Sequence, residues 1–220
     1  MSDADDSYTR RLPVYILVDC SGSMAGEPIA AMQMGIKALI SALQEDPQAV
    51  DTVWLSIITF DSDAEQVLPL TDIREVAAPP LDAGGTTALG QALTLLDERM
   101  EDEVRTYSED QKADWKPLAF IFTDGAPTDD WKTPVHALKS QNKITVIACG
   151  AGPEVNTTIL GQIGHKNVRL DNTQPETLMA FLQWVTASVT ATSKSLGTRA
   201  KSGETFAELP DVIKLVPGTD

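Results

Sequence analysis

The sequence predicts a doubly wound, Rossmann-like α/β domain with a mostly parallel central sheet. Short continuous apolar segments, typical of strands buried on both faces, alternate along the chain with amphipathic segments of helical period. Such alternation implies parallel βαβ crossovers, which place helices on both faces of one sheet. The 220 residues are enough for one domain with a sizeable core.

The first elements are a buried strand, a helix and an edge hairpin. The run Val14 to Asp19 is apolar and ends in a carboxylate, which predicts a buried strand. The segment Glu27 to Gln44 repeats apolar residues every three or four positions and has Pro28 in its first turn, so it predicts a helix. The strand Val53 to Phe60 and the more polar Ala64 to Leu68 predict a hairpin that forms one antiparallel edge.

The later elements continue the alternation. A helix is predicted from Thr86 to about Arg105, because apolar residues recur on one face and the remainder is polar. The other predicted elements are strands at Leu118 to Phe122, Ile144 to Ala148 and Val168 to Leu170, and helices at Thr133 to Ser140, Thr157 to Ile163 and Pro175 to Thr190.

The predicted domain covers residues 12–192. Residues 1–11 are expected to be a flexible N-terminus, because they are acidic and lack apolar periodicity. Residues 193–220 lose the helical pattern and are expected to form a C-terminal tail. An apolar cluster around Pro210 would let this tail fold back on the domain.

Acidic residues dominate the charge. The chain has 17 Lys and Arg against 32 Asp and Glu, a formal net charge of −15. Nucleic acid and anionic membranes are therefore not expected partners, because both are captured by clustered basic residues. The acidic start lacks the apolar segment of a secretory signal, and no run of about 18 apolar residues is present, so we expect a cytoplasmic protein.

The two cysteines, Cys20 and Cys149, are predicted to be buried free thiols. They are too few for a disulfide scaffold and have no CxxC spacing. In the usual strand order of such a sheet, the strand that ends near Asp124 separates them by two strand spacings, about 9.6 Å. That separation exceeds the ~7 Å reach of a disulfide.

Three oxygen-rich motifs follow buried strands or precede helices. They are Asp19-Cys-Ser-Gly-Ser23, Gly84-Gly-Thr-Thr87 and Thr123-Asp-Gly125. Each alone is an ordinary turn sequence. Ligands of doubly wound sheets bind at the carboxyl ends of the strands, so the joint placement of the motifs predicts one shared site.

The chemistry of these motifs indicates a divalent cation. Their ligands are hard oxygens, which favour Mg²⁺, Mn²⁺ or Ca²⁺ and disfavour zinc and copper. Two hydroxyls, one threonine oxygen and two carboxylates give at most five groups, whereas Mg²⁺ demands octahedral coordination. One position is therefore expected to stay open for a carboxylate supplied by an Asp or Glu of a protein partner.

The order of the motifs resembles the von Willebrand factor A domain with its metal-ion-dependent adhesion site (MIDAS), over about Leu12 to Thr190. Similarity is closer still to the bacterial tellurium-resistance, TerY-like branch. It rests on Asp19-Cys-Ser-Gly-Ser-Met-Ala-Gly-Glu-Pro28, Ile58-Thr-Phe-Asp-Ser-Asp-Ala64 and Thr123-Asp-Gly-Ala-Pro-Thr-Asp-Asp-Trp131. The metal ligands that this resemblance implies are Asp19, Ser21, Ser23, Thr86, in preference to Thr87, and Asp124.

The resemblance implies a non-enzymatic, metal-dependent protein-interaction module that acts as a scaffold or regulator in a tellurite or stress response. It also implies partners, a Ser/Thr kinase and a metal-dependent protein phosphatase. The alternatives are a Mg²⁺-dependent phosphohydrolase with Asp19 as nucleophile, which lacks an Asp at position 21, and a structural module whose ion only stabilises loops. We expect Asp19→Ala or Asp124→Ala to abolish ion binding and to leave the fold intact.

Two acidic clusters near the motifs leave two interpretations open. Asp129, Asp130 and Trp131 could form a recognition rim, or the carboxylates could cap a helix while the indole packs on the domain. Asp61 and Asp63 pose the same choice between a rim contact and a turn.

Overall fold

The computed structural model describes residues 10–153, 155–197 and 205–218. Strands and helices alternate along most of the described chain, joined by loops and short 3₁₀ turns. The elements, in chain order, are β1 (Leu12–Asp19), α1 (Glu27–Glu45), α2 (Pro47–Thr52), β2 (Val53–Phe60), β3 (Ala64–Asp72), α3 (Leu89–Glu103), β4 (Leu118–Thr123), α4 (Lys132–Gln141), β5 (Thr145–Ala151), α5 (Thr157–Ile163), β6 (Lys166–Leu170), α6 (Pro175–Gly197) and β7 (Ile213–Val216).

The strands form one sheet in the order β3-β2-β1-β4-β5-β6-β7. Neighbouring strands from β2 to β6 are parallel, which confirms the predicted α/β class. Strand β1 pairs with both β2 and β4, so the winding direction of the chain reverses there. Such a reversal opens a crevice at the carboxyl ends of the two strands, where Asp19 and Thr123 lie.

Both edges of the sheet are antiparallel, whereas the sequence predicted one such edge. The hairpin of β2 and β3 is the predicted edge. The second is β7, which pairs with β6 from Leu170–Ile213 to Asn167–Val216. It forms because Ile213, in the expected tail, is buried against the core.

The core has two layers, one on each face of the sheet. Strand β1 is buried along its whole length and alternates between them. Val14 and Ile16 face the layer of α1 and α6, while Tyr15 and Leu17 face that of α3, α4 and α5. Helix α1 lies close to α6, since a Cβ at Gly35 would lie 2.2 Å from Leu182 Cδ1.

Helix α6 extends beyond the predicted end at Thr190, so the expected boundary between residues 192 and 193 falls inside it. Its last turns remain helical because they are packed. Ser193 is buried, and its Oγ lies 2.8 Å from Thr52 Oγ1. Thr192 donates a 2.9 Å hydrogen bond to the carbonyl of Thr205, where the chain returns.

The described chain is already ordered at Arg10 and Arg11, inside the segment expected to be a flexible N-terminus. Arg11 is buried and ion-paired with Asp114 at 2.6 Å. The guanidinium of Arg10 lies 3.5 Å from the ring centre of Trp115. The rest of that segment, residues 1–9, lies outside the described residues.

Cys20 and Cys149 are free and buried, and β4 lies between their strands, as the sequence predicted. Burial raises the pKa of the Cys20 thiol to about 12, and it also raises the pKa of Cys149. Neither thiol is therefore activated as a nucleophile. Among the described helices, none combines the length and apolar character needed to span a bilayer.

Candidate metal site

Asp19, the last residue of β1, is fully buried and fixed from two sides. Its Oδ1 accepts a hydrogen bond from the backbone N–H of Ser21 at 2.8 Å. Its Oδ2 accepts one from Thr123 Oγ1 at 2.6 Å. Because Thr123 ends the adjacent strand β4, the pairing of β1 with β4 fixes this carboxylate at the sheet edge.

The two serines of the first motif meet the aspartate of the third. Ser23 Oγ donates a 2.7 Å hydrogen bond to Asp124 Oδ1 and lies 3.1 Å from Ser21 Oγ. The turn Gly22–Met24 is a single 3₁₀ turn, which brings both hydroxyls to the same side. Ser21 is buried and Ser23 is exposed, so the cluster opens to solvent through Ser23.

The second motif is hydrogen-bonded to the first through its backbone. Gly84 N–H donates to the carbonyl of Cys20 at 2.8 Å, and Gly22 N–H donates to the carbonyl of Gly85 at 3.2 Å. Gly85 has φ +68°, and a Cβ there would lie 2.4 Å from Ser62 Oγ, so the turn requires glycine. Thr86, the next residue, is exposed beside the serine turn.

Thr86 and Thr87 differ in accessibility. Thr86 is exposed, and its backbone N–H donates to Ser62 Oγ at 3.3 Å. Thr87 is buried, and its backbone is paired with Thr128 in both directions, at 2.9 and 3.2 Å. Thr87 therefore joins the second motif to the loop after Asp124.

The acidic loop after Asp124 caps helices. Both carboxylate oxygens of Asp129 accept 2.9 Å hydrogen bonds from the N–H groups of Gly90 and Gln91, in the first turn of α3. Asp130 accepts from the N–H of Lys132 at 3.1 Å, at the start of α4. Trp131 is buried. The capping interpretation is the one that the structure supports.

Asp61 and Asp63 likewise form a turn. Asp63 N–H donates to Asp61 Oδ1 at 3.1 Å, and Asp61 N–H donates to the Asp63 carbonyl at 2.9 Å. The carbonyl of Asp61 also accepts from the N–H of Ala88 at 2.7 Å. This turn thus fixes the start of α3 and the threonine loop before it.

The electrostatics of the cluster fit a cation. Burial raises the pKa of Asp19 and of Asp124, and the charge of Asp124 raises that of Asp19 further. Within the described part of the chain, no Lys or Arg forms an ion pair with either carboxylate. Two neighbouring carboxylates without a basic partner leave a negative charge that a divalent ion would neutralise.

The donor set fits a hard ion. Over the described residues, no group of three or more His, Cys, Asp or Glu side chains is arranged to hold a metal. A divalent ion at this edge would therefore depend on the hydroxyls of Ser21 and Ser23 together with the carboxylates. Oxygen-only sets of this kind suit Mg²⁺, Mn²⁺ or Ca²⁺.

Thr123 has a role that the sequence analysis did not assign. It stood in the third motif as a neighbour of Asp124, yet its hydroxyl is the donor that fixes Asp19 across the strand pair. The position could have been found from two facts, a polar residue at the end of a buried strand and the expected adjacency of β4 to β1. Thr123 is thus a positioning residue.

Thr123→Val is expected to destabilise the protein by about 1–3 kcal/mol, because it leaves the buried Asp19 Oδ2 without a donor. Urea unfolding at neutral pH measures this. Thr133→Val is the matched control, since its hydroxyl donates to Asp130 at 2.7 Å on the exposed surface. A similar loss in both variants would contradict the role given to Thr123.

This chain is similar to a known family and to one curated protein. A family model described as the von Willebrand factor type A domain matches residues 14–181. A protein of Synechocystis sp., uncharacterized protein sll0103, is 30% identical over 168 residues, 72% of this chain and 37% of that protein. The chain thus spans little more than a third of this curated relative's length.

Solved structures with the same fold share less sequence. One is a von Willebrand factor type A protein from Catenulispora acidiphila, with 18% identity, coverage of 82% of this chain and 43% of that chain, and a TM-score of 0.62. Another is proximal thread matrix protein 1 from the mussel byssus, described with a zinc-occupied MIDAS motif, with 19% identity, coverage of 81% and 48%, and a TM-score of 0.58. A third is the ArnB paralog VWA2 from Sulfolobus acidocaldarius, with 19% identity, coverage of 78% and 45%, and a TM-score of 0.56.

Proposed function

Because this chain belongs to the von Willebrand factor type A domain family, we propose that it is a divalent-metal-dependent protein-interaction module. The observation that carries the proposal is the convergence of the Ser21 and Ser23 hydroxyls with the Asp124 carboxylate at the carboxyl edge of the sheet. The proposed metal ligands are Asp19, Ser21, Ser23, Thr86 and Asp124.

Each proposed ligand would interact with the ion in a way that its contacts in this structure allow. Ser23 and Thr86 are exposed and would bind the ion from the solvent side. Asp19 already accepts hydrogen bonds on both oxygens, so we propose that it acts through its charge and a bridging water. Asp124, whose Oδ1 accepts its hydrogen bond from the exposed Ser23, would rearrange more easily toward the ion.

A bound divalent ion would act as a Lewis acid and would have one coordination position open for a carboxylate of the partner. Two carboxylates balance the charge of a divalent cation, so an incoming Asp or Glu would meet a neutral site rather than a negative one. At long range a chain at −15 repels an acidic partner, and the ion removes that repulsion only locally. Binding of a partner's carboxylate at this site is therefore expected to depend on the metal.

Titration calorimetry of the EDTA-stripped protein with Mg²⁺, Mn²⁺, Ca²⁺ and Zn²⁺ tests the site. Oxygen ligands favour the first three ions, and zinc is included because the mussel protein is described with zinc in its MIDAS motif. Saturable binding of one ion per chain is expected. No binding of any of the four ions, at concentrations up to the millimolar range, would refute a site that is complete without a partner.

A bacterial tellurite or stress response is the proposed biological setting. The resemblance of the motifs to the TerY-like branch supports a scaffold or regulator in a bacterial tellurite or stress response in the cytoplasm. A Ser/Thr kinase and a metal-dependent protein phosphatase are the proposed partners. Deletion of the encoding gene should then sensitise cells to tellurite, and a variant without the ion site should fail to restore resistance.

We propose that the protein is not an enzyme. A phosphohydrolase would need Asp19 as an accessible nucleophile, and this side chain is fully buried with both oxygens hydrogen-bonded. A phosphatase assay with broad substrates is expected to show no turnover. Turnover that is lost in Asp19→Asn would reverse this conclusion.

A further inference from the structure

Basic residues are concentrated in one part of this acidic protein. The sequence stretch 131–170, which includes α4, β5, α5 and β6, contains a single Asp or Glu, at position 154, although the whole chain has 32. Over the same stretch the basic residues outnumber it. They are Lys132, Lys139, Lys143, Lys166 and Arg169.

Three basic side chains lie on one face of α4, and we call them the basic stripe. Lys132, His136 and Lys139 are spaced i, i+4 and i+7, which places them on one side of a helix. The first two are exposed, and the ammonium of Lys139 donates to the carbonyl of Gln162 in α5 at 2.6 Å. Together with Ser140 and Gln162, they line a shallow groove of about 750 Å³ between α4 and α5.

The basic stripe begins where the loop that carries Asp124 ends. Strand β4 ends at Thr123, and the loop that carries Asp124 leads directly into α4. That loop is fixed to the second motif by Thr128 and to α3 by Asp129. With a rise of 1.5 Å per residue, the stripe runs about 10 Å along α4, from Lys132 to Lys139.

We propose that the basic stripe docks an acidic segment of a protein partner. A short run of carboxylates complements the two lysines in sign, and the exposed imidazole of His136 between them can donate a hydrogen bond to a carboxylate. Nucleic acid and anionic membranes fit less well, because they are held by many phosphate contacts that three groups cannot supply against a net charge of −15.

An acidic pocket gives the docking a direction. It is lined by Asp61, Asp63, Glu65 and Asp82, at the turn between β2 and β3 and the loop before the second motif. An acidic segment would be repelled there and attracted along the stripe. The same partner would place its acidic segment on the stripe and a carboxylate at the metal, and this part of the proposal rests on the proposed function. The binding of an acidic segment to the stripe does not depend on it.

The test is fluorescence anisotropy with a labelled glutamate peptide of about ten residues, at low ionic strength, once in EDTA and once with Mg²⁺. The variant Lys132→Glu/Lys139→Glu is expected to bind about tenfold more weakly in both buffers. The matched control is Lys37→Glu/Lys112→Glu, which changes the net charge equally at exposed positions outside the stripe. It should retain most of the binding.

A second variant, Lys132→Gln/His136→Glu, keeps the contact of Lys139 with Gln162 and guards against loss of fold. Equal binding by the wild type and both stripe variants, or no binding by the wild type, would overturn the proposal. Tighter binding of a single-stranded DNA oligonucleotide of equal charge would also overturn it. Peptide binding in EDTA that is lost in the stripe variants supports the docking surface. If Mg²⁺ does not increase that binding, the result counts against the proposed metal function and leaves the docking surface standing.

Discussion

Asp124→Ala is expected to lower divalent-ion affinity by at least about 100-fold, because even residues that only orient metal ligands change affinity by about 10–100-fold. The metal-free fold should persist. Asp124 accepts its side-chain hydrogen bond from Ser23, which is exposed and can bond to water in the variant. Burial raises the pKa of Asp124, so its removal takes away a charge that the metal-free fold disfavours.

Calorimetric titration measures the affinity, and thermal unfolding with and without the ion gives an independent readout. Saturating ion stabilises only a native state that binds it, by about 2.7 kcal/mol at 100 times the dissociation constant. Asp63→Ala is the control, since it removes the same charge from an exposed side chain in a nearby turn. An unchanged affinity in Asp124→Ala would show that the ion binds elsewhere.

The contacts of Asp19 argue against the expectation that Asp19→Ala would also leave the fold intact. Asp19 is the acceptor for the N–H of Ser21 and the hydroxyl of Thr123, in a fully buried position. Alanine would leave the buried Ser21 N–H without its acceptor, at about 1–3 kcal/mol, and would leave the Thr123 hydroxyl only a long 3.4 Å contact with the carbonyl of Gly125. Lost ion binding in that variant would therefore mix two effects, and Asp124→Ala is the cleaner test.

Arg11→Ala is expected to destabilise the protein by about 3–5 kcal/mol, the usual effect of removing one partner from a buried ion pair. The side chains of Arg11 and Asp114 are only 8% and 1% exposed. Arg11 donates to both oxygens of Asp114 and, at 2.7 Å, to the carbonyl of Glu103 at the end of α3. Its guanidinium also lies 4.5 Å from the ring centre of Trp54.

Urea unfolding of wild type and variant measures this loss. Lys214→Ala is the control, because its ion pair with Asp171 is more than half exposed on both sides and should change stability by less than about 1 kcal/mol. The double variant Arg11→Met/Asp114→Leu should recover part of the loss, since it leaves no lone buried charge. Equal effects of Arg11→Ala and Lys214→Ala would contradict the stabilising role of the buried pair.

Local sequence patterns predicted the strands and helices of the sheet, because the burial of each element depends on the spacing of apolar residues that are close in sequence. Apolar runs such as Val14 to Asp19 and the helical period of α1 determine which faces are buried, whatever lies elsewhere in the chain. The adjacency of β1 and β4 was expected from the usual strand order of doubly wound sheets, so the gathering of Asp19 near Asp124 was foreseeable.

The sequence by itself determined the α/β class, the parallel centre of the sheet, the burial of both cysteines and the order of the three motifs. Only the tertiary structure decided the role of Thr123, the capping by Asp129, the ordered Arg11 and the second edge strand β7. Each of the latter joins residues distant in sequence, such as Arg11 and Asp114. Such contacts leave no periodic pattern, because they depend on which elements pack together rather than on the spacing within one.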